Sequence, residues 1–421
     1  MDKQEINQLL RKYSESLFNQ VIPFWERHSP DSEYGGYFSC LERDGTVFDT
    51  DKFGWMLGRG VWTFARLVNW ADGDAAGCPP SREVSEKSIG QKEKWLALSR
   101  MGAEFIRDKA RSPEGDVYFA LDRKGLPLVA PYNIFSEYFA AAGFAEFYRA
   151  SASLAGGAGE SWAAGEARKS WDRIVIRKPN PKGVWTKQIG ENRPMKAMGV
   201  CMMDIWLAGE LEGIVPQGEL DALADRAEAQ IFDIHIDRQL KTVFERVLPG
   251  GGHPDCMEGR LLNPGHALET LWFVMRRAAG RGDTARVKDI SEIMLWVAER
   301  GWDEEYGGFF YYQDYRGFPT EKLESDMKLW WVHAEALCAF LLAYKLTADP
   351  RHEAWFRRVD EYTWRCFPDP QYGEWYGYLN RRGEPALSQK GGKWKGFFHL
   401  PRSLMFCIDW LKELEKDSAG K

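Results

Sequence analysis

Two of the seven histidines stand in matching surroundings that suit proton transfer. His266 follows Asn263-Pro264-Gly265 and is followed three positions later by Glu269. His399 ends the run Lys390-Gly391-Gly392-Lys393-Trp394-Lys395-Gly396-Phe397-Phe398 and is followed three positions later by Arg402. In each, a glycine-bearing loop leads into the histidine. If helices start there, i and i+3 share a face, so the spacing sets Glu269 beside His266 and Arg402 beside His399. Pro401 is tolerated in a first helical turn. A carboxylate neighbour orients an imidazole and stabilises its charged form, whereas an arginine biases it towards the neutral base. The pattern therefore points to an acid/base pair facing one cavity. The plainer alternative is two structural or capping histidines. His333 and Glu335, two positions apart, do not share a helix face, and His333 reads as core. His28 and His352 sit in polar stretches and read as exposed. No His-x-x-x-His or Cys/His spacing points to zinc, so no metal is expected. The Lys390–Gly396 run is a candidate anion cradle, although it lacks Walker spacing; the alternative is a loop that closes the cavity.

The elements that must position these residues repeat along the chain. An aromatic-glycine cassette reads Glu33-Tyr34-Gly35-Gly36-Tyr37-Phe38, then Glu305-Tyr306-Gly307-Gly308-Phe309-Phe310, then Gln371-Tyr372-Gly373-Glu374-Trp375-Tyr376. Each runs into a basic turn: Arg43-Asp44-Gly45, Arg316-Gly317 and Arg382-Gly383. Asp116-Val117-Tyr118-Phe119 with Arg123-Lys124-Gly125 is a looser copy. The turn glycines at 45, 125, 317 and 383 are spaced for two further degenerate copies, near Val184-Trp185-Thr186 and Thr242-Val243-Phe244-Glu245. Six units result, and fixed-period self-similarity signals a repeat architecture. Each unit has room for two helices besides its cassette. Ile6, Leu9, Leu10, Tyr13, Leu17, Val21 and Phe24 follow a helical period, and Leu329 to Leu346 is more uniformly apolar, as a buried helix would be. The expectation is an all-α (α/α)6 barrel, a toroid of six helical hairpins with short β-hairpin loops, in one domain over 1–421. An open solenoid is the alternative, but no polar capping repeats are evident. The polar stretch from Asp72 to about Gln91, with Pro79-Pro80, reads as a surface loop.

Composition excludes several classes. The net charge of −6, with both signs mixed throughout, offers no nucleic-acid track. No long uncharged apolar run suggests a membrane span, and Met1-Asp2-Lys3-Gln4-Glu5 is not a signal peptide. Seven scattered cysteines without a Cys-x-x-Cys pair suit a reduced, cytoplasmic protein. Nineteen tryptophans suit either sugar platforms or the bulky wedges of a helix ring.

At these motifs the chain resembles the N-acylglucosamine 2-epimerase (renin-binding protein) family. The resemblance rests on Asn263 to Glu269, Lys328 to Ala336, Lys390 to Arg402, Glu33 to Phe38, Gly58-Arg59-Gly60-Val61-Trp62 and Asn133-Ile134-Phe135-Ser136-Glu137, and spans about Phe24 to Met405. It implies the (α/α)6 barrel and interconversion of N-acetylglucosamine and N-acetylmannosamine through an enediolate of the opened sugar. By that resemblance His266 and His399 are the acid/base pair, Arg59 lies near the carbonyl oxygen, and Glu269 orients His266. Arg402, Trp394, Trp331, Asn133 and Glu137 are the implied substrate contacts. No cofactor is required for the chemistry, but ATP is an implied allosteric activator through Lys390, Gly391, Gly392, Lys393, Lys395 and Gly396. A homodimer is also implied. Relatives acting on cellobiose, mannose or sulfoquinovose carry another histidine where this chain has Met202-Met203, a departure that favours the N-acylglucosamine branch; a free mannose/glucose 2-epimerase or aldose–ketose isomerase is the alternative. A glycoside hydrolase on the same toroid would need a carboxylate pair, drawn from Asp204, Glu258, Glu269 or Glu335. A non-catalytic interaction protein is suggested only by the family's second name.

Overall fold

Helices that begin just after a cassette are apolar on nearly every face, because they are enclosed on every side. These are α3 (Gly54–Trp70), α5 (Phe135–Ala155), α7 (Met198–Glu210), α9 (Pro264–Gly280), α11 (Trp330–Thr347) and α13 (His399–Ala419). In the computed structural model, which describes residues 1–70, 82–187, 189 and 191–419, they form an inner ring. Each packs on the next, and α13 packs back on α3, so the ring is closed. The outer layer is α1 (Lys3–Ser16), continued through a π turn into α2 (Ile22–His28), then α4 (Arg82–Lys109), α6 (Ser161–Arg177), α8 (Gln217–Gln230), α10 (Thr284–Gly301) and α12 (Pro350–Cys366). Outer helices bury one stripe only; α1 buries Ile6, Leu9 and Tyr13. Residues 330–343 of α11 are buried without a break. Asp2, Asn263, Asp283 and Asp349 cap the helices they precede by accepting a first-turn N–H.

At one end of the ring, short strands stitch neighbouring repeats together. A residue pair at or just before the start of an inner helix joins the hairpin of the following repeat: Lys52–Phe53 with Ala120–Leu121, Lys196–Ala197 with Arg246–Val247, Leu261–Leu262 (one residue before α9) with Gln313–Asp314, and Lys328–Leu329 with Tyr378–Leu379. The last repeat meets the first where the Lys390 and Gly391 amides donate to the Leu41 carbonyl.

The cassettes also carry charge that the turn reading does not require. A buried aspartate opens three of them, and each takes a buried lysine from its own repeat and an arginine from the next. Asp31 binds Lys52 at 2.9 Å and Arg123 at 3.0 Å. Asp303 binds Lys328 at 3.0 Å and Arg381 at 2.9 Å. Asp369 binds Lys390 at 2.9 Å and Arg43 at 2.8 Å. Each arginine also covers two cassette aromatics, Tyr34 and Phe38, Tyr306 and Phe310, or Tyr372 and Tyr376.

Three expectations differ from what is observed. Residues 82–91 are helical within α4, in keeping with their Glu- and Lys-rich composition, while 71–81 lie outside the described residues. Val184-Trp185 forms a 3-10 turn with Val184 exposed, and the strand pairing of that repeat comes later, at Lys196–Ala197. His352 is buried, stacked beside Phe340.

Candidate active site

Most of the chemistry-bearing side chains lie in the first turns of the inner helices, at the end where the strands stitch the ring. Asn263 starts α9 by accepting the His266 N–H on Oδ1 at 3.1 Å, with Pro264 in the first turn. His399 is the first residue of α13, Trp331 the second of α11, and Arg59 lies in the second turn of α3.

The Trp331 ring lies beside both histidines, 5.2 Å from His266 and 5.6 Å from His399 by ring centres. The tryptophan can stand there because Gly265 has no side chain: a Cβ at that position would lie 2.7 Å from its six-membered ring. Both histidines point Nδ1 at a carboxylate. His266 donates Nδ1–H to Glu245, at 3.0 and 3.1 Å from its two oxygens. His399 donates Nδ1–H to Glu335 at 2.7 Å. These bonds place the lone pair of each neutral ring on Nε2.

Their environments pull the two apart. Burial works against charge on His266, but the Glu245 carboxylate outweighs it and raises the pKa above the ordinary histidine value. Burial pushes His399 well below that value. Glu335 cannot reverse this, because Arg402 Nη2 sits 2.6 Å from the same carboxylate oxygen. Arg59, Arg402 and His266 add further positive potential at His399, opposed by Glu269. One histidine is thus biased towards imidazolium and the other towards the free base, the condition that separates acid from base roles.

Arg59 is buried, with its guanidinium 4.2 Å from the Phe139 ring centre and 4.9 Å from that of Trp55. It makes no ion pair among the described residues, and its Nε–H has no partner. Burial pushes its pKa down to about 9, which leaves it charged at neutral pH. Trp55 leads outward from Arg59 to Trp394, which is 52% exposed and meets it edge-on at 5.1 Å.

Several sequence expectations are corrected. Glu269 does not orient His266; it is bound by Arg402. The orienting carboxylate is Glu245, in the degenerate fourth cassette, and sequence reasoning missed it. The one available signal was an acid, followed by Arg246, between the apolar pairs Val243-Phe244 and Val247-Leu248. Arg402 is not open to sugar hydroxyls: it is buried, shared between Glu269 and Glu335, and roofed by the Phe398 ring at 4.6 Å. Glu137 is buried away from the histidines, where it accepts the Val117 amide and lies 3.6 Å from Arg111. Asn133 Oδ1 accepts the Phe135 N–H at 2.8 Å at the start of α5.

The lysine-glycine loop is no open cradle for phosphate. Lys390 is buried on Asp369, and Lys395 is buried on Glu374 at 2.7 Å, so neither charge is free. Lys393 alone of the three faces out, over Phe119 and Trp394. Among the described residues, Glu269, Glu335 and His399 form the one group with metal-ligand spacing, and Arg402 already supplies its positive charge. The carboxylates considered for hydrolysis are engaged as well: Asp204 with Tyr138 and Lys178, Glu258 with Arg246, and Glu269 and Glu335 with one arginine.

The comparisons with known proteins place this closed helical toroid among the carbohydrate isomerases. The family profile described as N-acylglucosamine 2-epimerase (GlcNAc 2-epimerase) matches residues 84–403. The chain is similar to N-acylglucosamine 2-epimerase of Mus musculus, at 37% identity over 97% of this chain and 93% of that protein. Its fold is similar to that of cellobiose 2-epimerase from Bacillus thermoamylovorans B4167, with a TM-score of 0.77 at 18% identity over 97% and 100% of the two chains. It is also similar to a D-mannose isomerase, at 0.72 and 16% over 96% and 97%. The chain belongs to the N-acylglucosamine 2-epimerase family and is a sugar 2-epimerase, a carbohydrate epimerase among the isomerases. No helix among the described residues is long and apolar enough to cross a membrane.

Proposed function

We propose that the protein interconverts N-acetyl-D-glucosamine and N-acetyl-D-mannosamine through the ring-opened aldehyde. The observation that carries this reading is the pair of histidines against one ring, Trp331, with opposite protonation bias. In one direction, Nε2 of neutral His399 removes the C2 proton. The C–H electron pair forms the C1=C2 bond, and the carbonyl π electrons move onto O1. Arg59, a buried cation with an unpaired N–H, is suited to meet the charge that develops on O1. The enolate, with the acetamido nitrogen still on C2, then takes a proton at C2 from the His266 imidazolium on the opposite face, and O1 returns to the aldehyde. C2 is inverted, and the enzyme is left with the proton on the other histidine, ready for the reverse direction. Glu245 and Glu335 keep each Nε2 facing the substrate. The 37% identity to N-acylglucosamine 2-epimerases supports the acetamido sugar as substrate.

Incubation with N-acetylmannosamine in D2O is expected to give N-acetylglucosamine carrying deuterium at C2, read by NMR. Absence of exchange with N-acetylmannosamine, alongside exchange with mannose or cellobiose, would move the substrate to free sugars. Absence with every aldose would end the epimerisation reading.

A further inference from the structure

The third full cassette departs from its siblings twice, and both departures converge on the segment that delivers His399. In the first two cassettes the second glycine, Gly36 or Gly308, has a positive φ of 71° or 77°. The third cassette holds that position with Glu374, at φ 54°, a backbone region that L side chains rarely adopt. Local strain of this kind persists where the surroundings over-determine it, and it clusters at functional sites. The second departure is in spacing. Lys52 and Lys328, the clamp lysines of the first and fifth repeats, lie two residues before the inner helices at Gly54 and Trp330. Lys390, their counterpart, lies nine residues before His399, where α13 begins. The additional residues form a strap across the junction of the last and first repeats.

Glu374 holds that strap. Its side chain is buried, with Oε2 accepting from Trp25 Nε1 at 2.8 Å and Oε1 accepting from Lys395 Nζ at 2.7 Å. Lys395 also donates to the Lys390 carbonyl at 2.7 Å, which ties the middle of the strap to its start. Beyond Lys395, Phe397 stacks on Trp25 at 5.8 Å, and its carbonyl accepts from Thr63 of α3 at 2.6 Å. His399 follows two residues later. A glycine at 374 would relieve the backbone and leave Lys395 buried without a counter-charge.

We propose that Glu374 is a positioning residue for His399, acting through Lys395 and Trp25. It exchanges the easy backbone of a cassette glycine for a fixed strap, and so sets where the His399 imidazole stands against the substrate. This rests on the acid/base reading of His399. Misplacing a reacting group by about 1 Å can cost about 100-fold in rate, which sets the scale of the effect.

The test compares Glu374→Gly, Glu374→Gln, Lys395→Met and the Glu374→Gly/Lys395→Met double variant. The readouts are kcat and KM for C2 exchange, thermal melting, and the 15N NMR signals of the His399 imidazole, assigned by loss in His399→Gln. Glu374→Gly is expected to stay folded and to lose about 10- to 100-fold in kcat with KM within about threefold. It is also expected to shift or broaden the His399 signals. Glu374→Gln keeps the shape and should fall between it and the wild type. The double variant should be no slower than the worse single variant, because both act on one contact. Wild-type kcat and unshifted His399 signals in folded Glu374→Gly would overturn the proposal. So would losses in the double variant that simply multiply. If Glu374→Gly does not fold, the same kcat and NMR criteria apply to Glu374→Gln and Lys395→Met. The NMR signals need no substrate, so failure of the epimerase reading is seen separately, as a wild type that exchanges no aldose.

Discussion

In the proposed mechanism, the acid role of His266 turns on Glu245. Its carboxylate favours the imidazolium, so removing the charge lowers the histidine's pKa. The proposed mechanism requires His266 charged and His399 neutral in the free enzyme, which gives a bell-shaped kcat/KM. Its alkaline limb belongs to His266, above the ordinary value of 6.5, and its acid limb to His399, well below it. Glu245→Gln is therefore expected to move the alkaline limb towards lower pH and leave the acid limb in place, checked by pH–rate profiles of C2 exchange. His266→Ala and His399→Ala are expected to abolish exchange while leaving the fold intact by circular dichroism. Both histidines and Arg59 are legible in the sequence alone, because each lies in a long specific motif. The partner of His266 is not, because i+3 on a helix fixes a shared face and says nothing about what approaches from another repeat. Glu245 comes from the bend between Thr242–Val243 and Arg246–Val247, 21 positions earlier, and owes its place to the ring. His333 shows a different limit. It reads as core in the sequence, and it is: Nδ1 faces the Leu329 carbonyl, Nε2 accepts the Phe309 amide, and burial pushes its pKa down to about 3. Its folded pKa lies below the unfolded value, so it adds stability above pH 6.5 that is lost as pH falls towards 3. The loss is about 1.4 kcal/mol per pH unit in that window. A His333→Gln variant, even if less stable at neutral pH, should show a flatter fall in urea-unfolding free energy between pH 6.5 and 4.

At the scale of the element, the helix start is the device that converts the ring into a site. The inner helices put their first turns at one mouth, and α9 and α11 must approach there closely enough for Trp331 to touch both histidines. Gly265 makes that approach possible. A methyl group there would also meet Val332 Cγ2 at 2.8 Å, and neither neighbour is the loose end of a flexible side chain. Gly265→Ala is expected to push Trp331 out of line and misplace both bases at once. The loss of kcat should be at least about 100-fold. The loss of stability should be modest, about 1–3 kcal/mol for overpacking. Parallel kinetics and urea melts would separate the two, and an unchanged kcat would show that Trp331 does not set the spacing. The helices themselves are legible, since uniform apolarity in α11 and one-sided apolarity in α1 need only composition and period. The lysine-glycine loop resembles an anion cradle only until its side chains are placed: sequence cannot show that Lys390 and Lys395 turn inward onto Asp369 and Glu374.

At the scale of the molecule, six repeats are legible in the cassette spacing, and closure follows from interactions that no single repeat contains. The same clamp that joins the first repeat to the second, Asp31 with Lys52 and Arg123, joins the last to the first, Asp369 with Lys390 and Arg43. The outer seam adds Lys12 and Tyr13 on Asp360, and the Met1 amino group on Glu353. Breaking a buried pair from one side leaves an uncompensated charge and costs about 3–5 kcal/mol. Asp31→Ala and Asp369→Ala should therefore be similarly destabilising in urea melts, because each strands a buried lysine. Arg43→Ala should cost less, since Arg43 is partly exposed and its loss leaves Asp369 still paired with Lys390. Function should separate the two aspartates. The seam clamp holds the start of the strap that ends in His399, whereas the Asp31 clamp lies at the entry to α3, away from both histidines in sequence. Asp369→Ala is therefore expected to lower kcat more than Asp31→Ala at matched loss of stability. It should also raise hydrogen exchange selectively in α1 and α13, the two helices that meet at the seam. Equal kcat losses, or exchange spread evenly around the ring, would mean that the toroid shares strain among all its repeats and that the seam holds no privileged place.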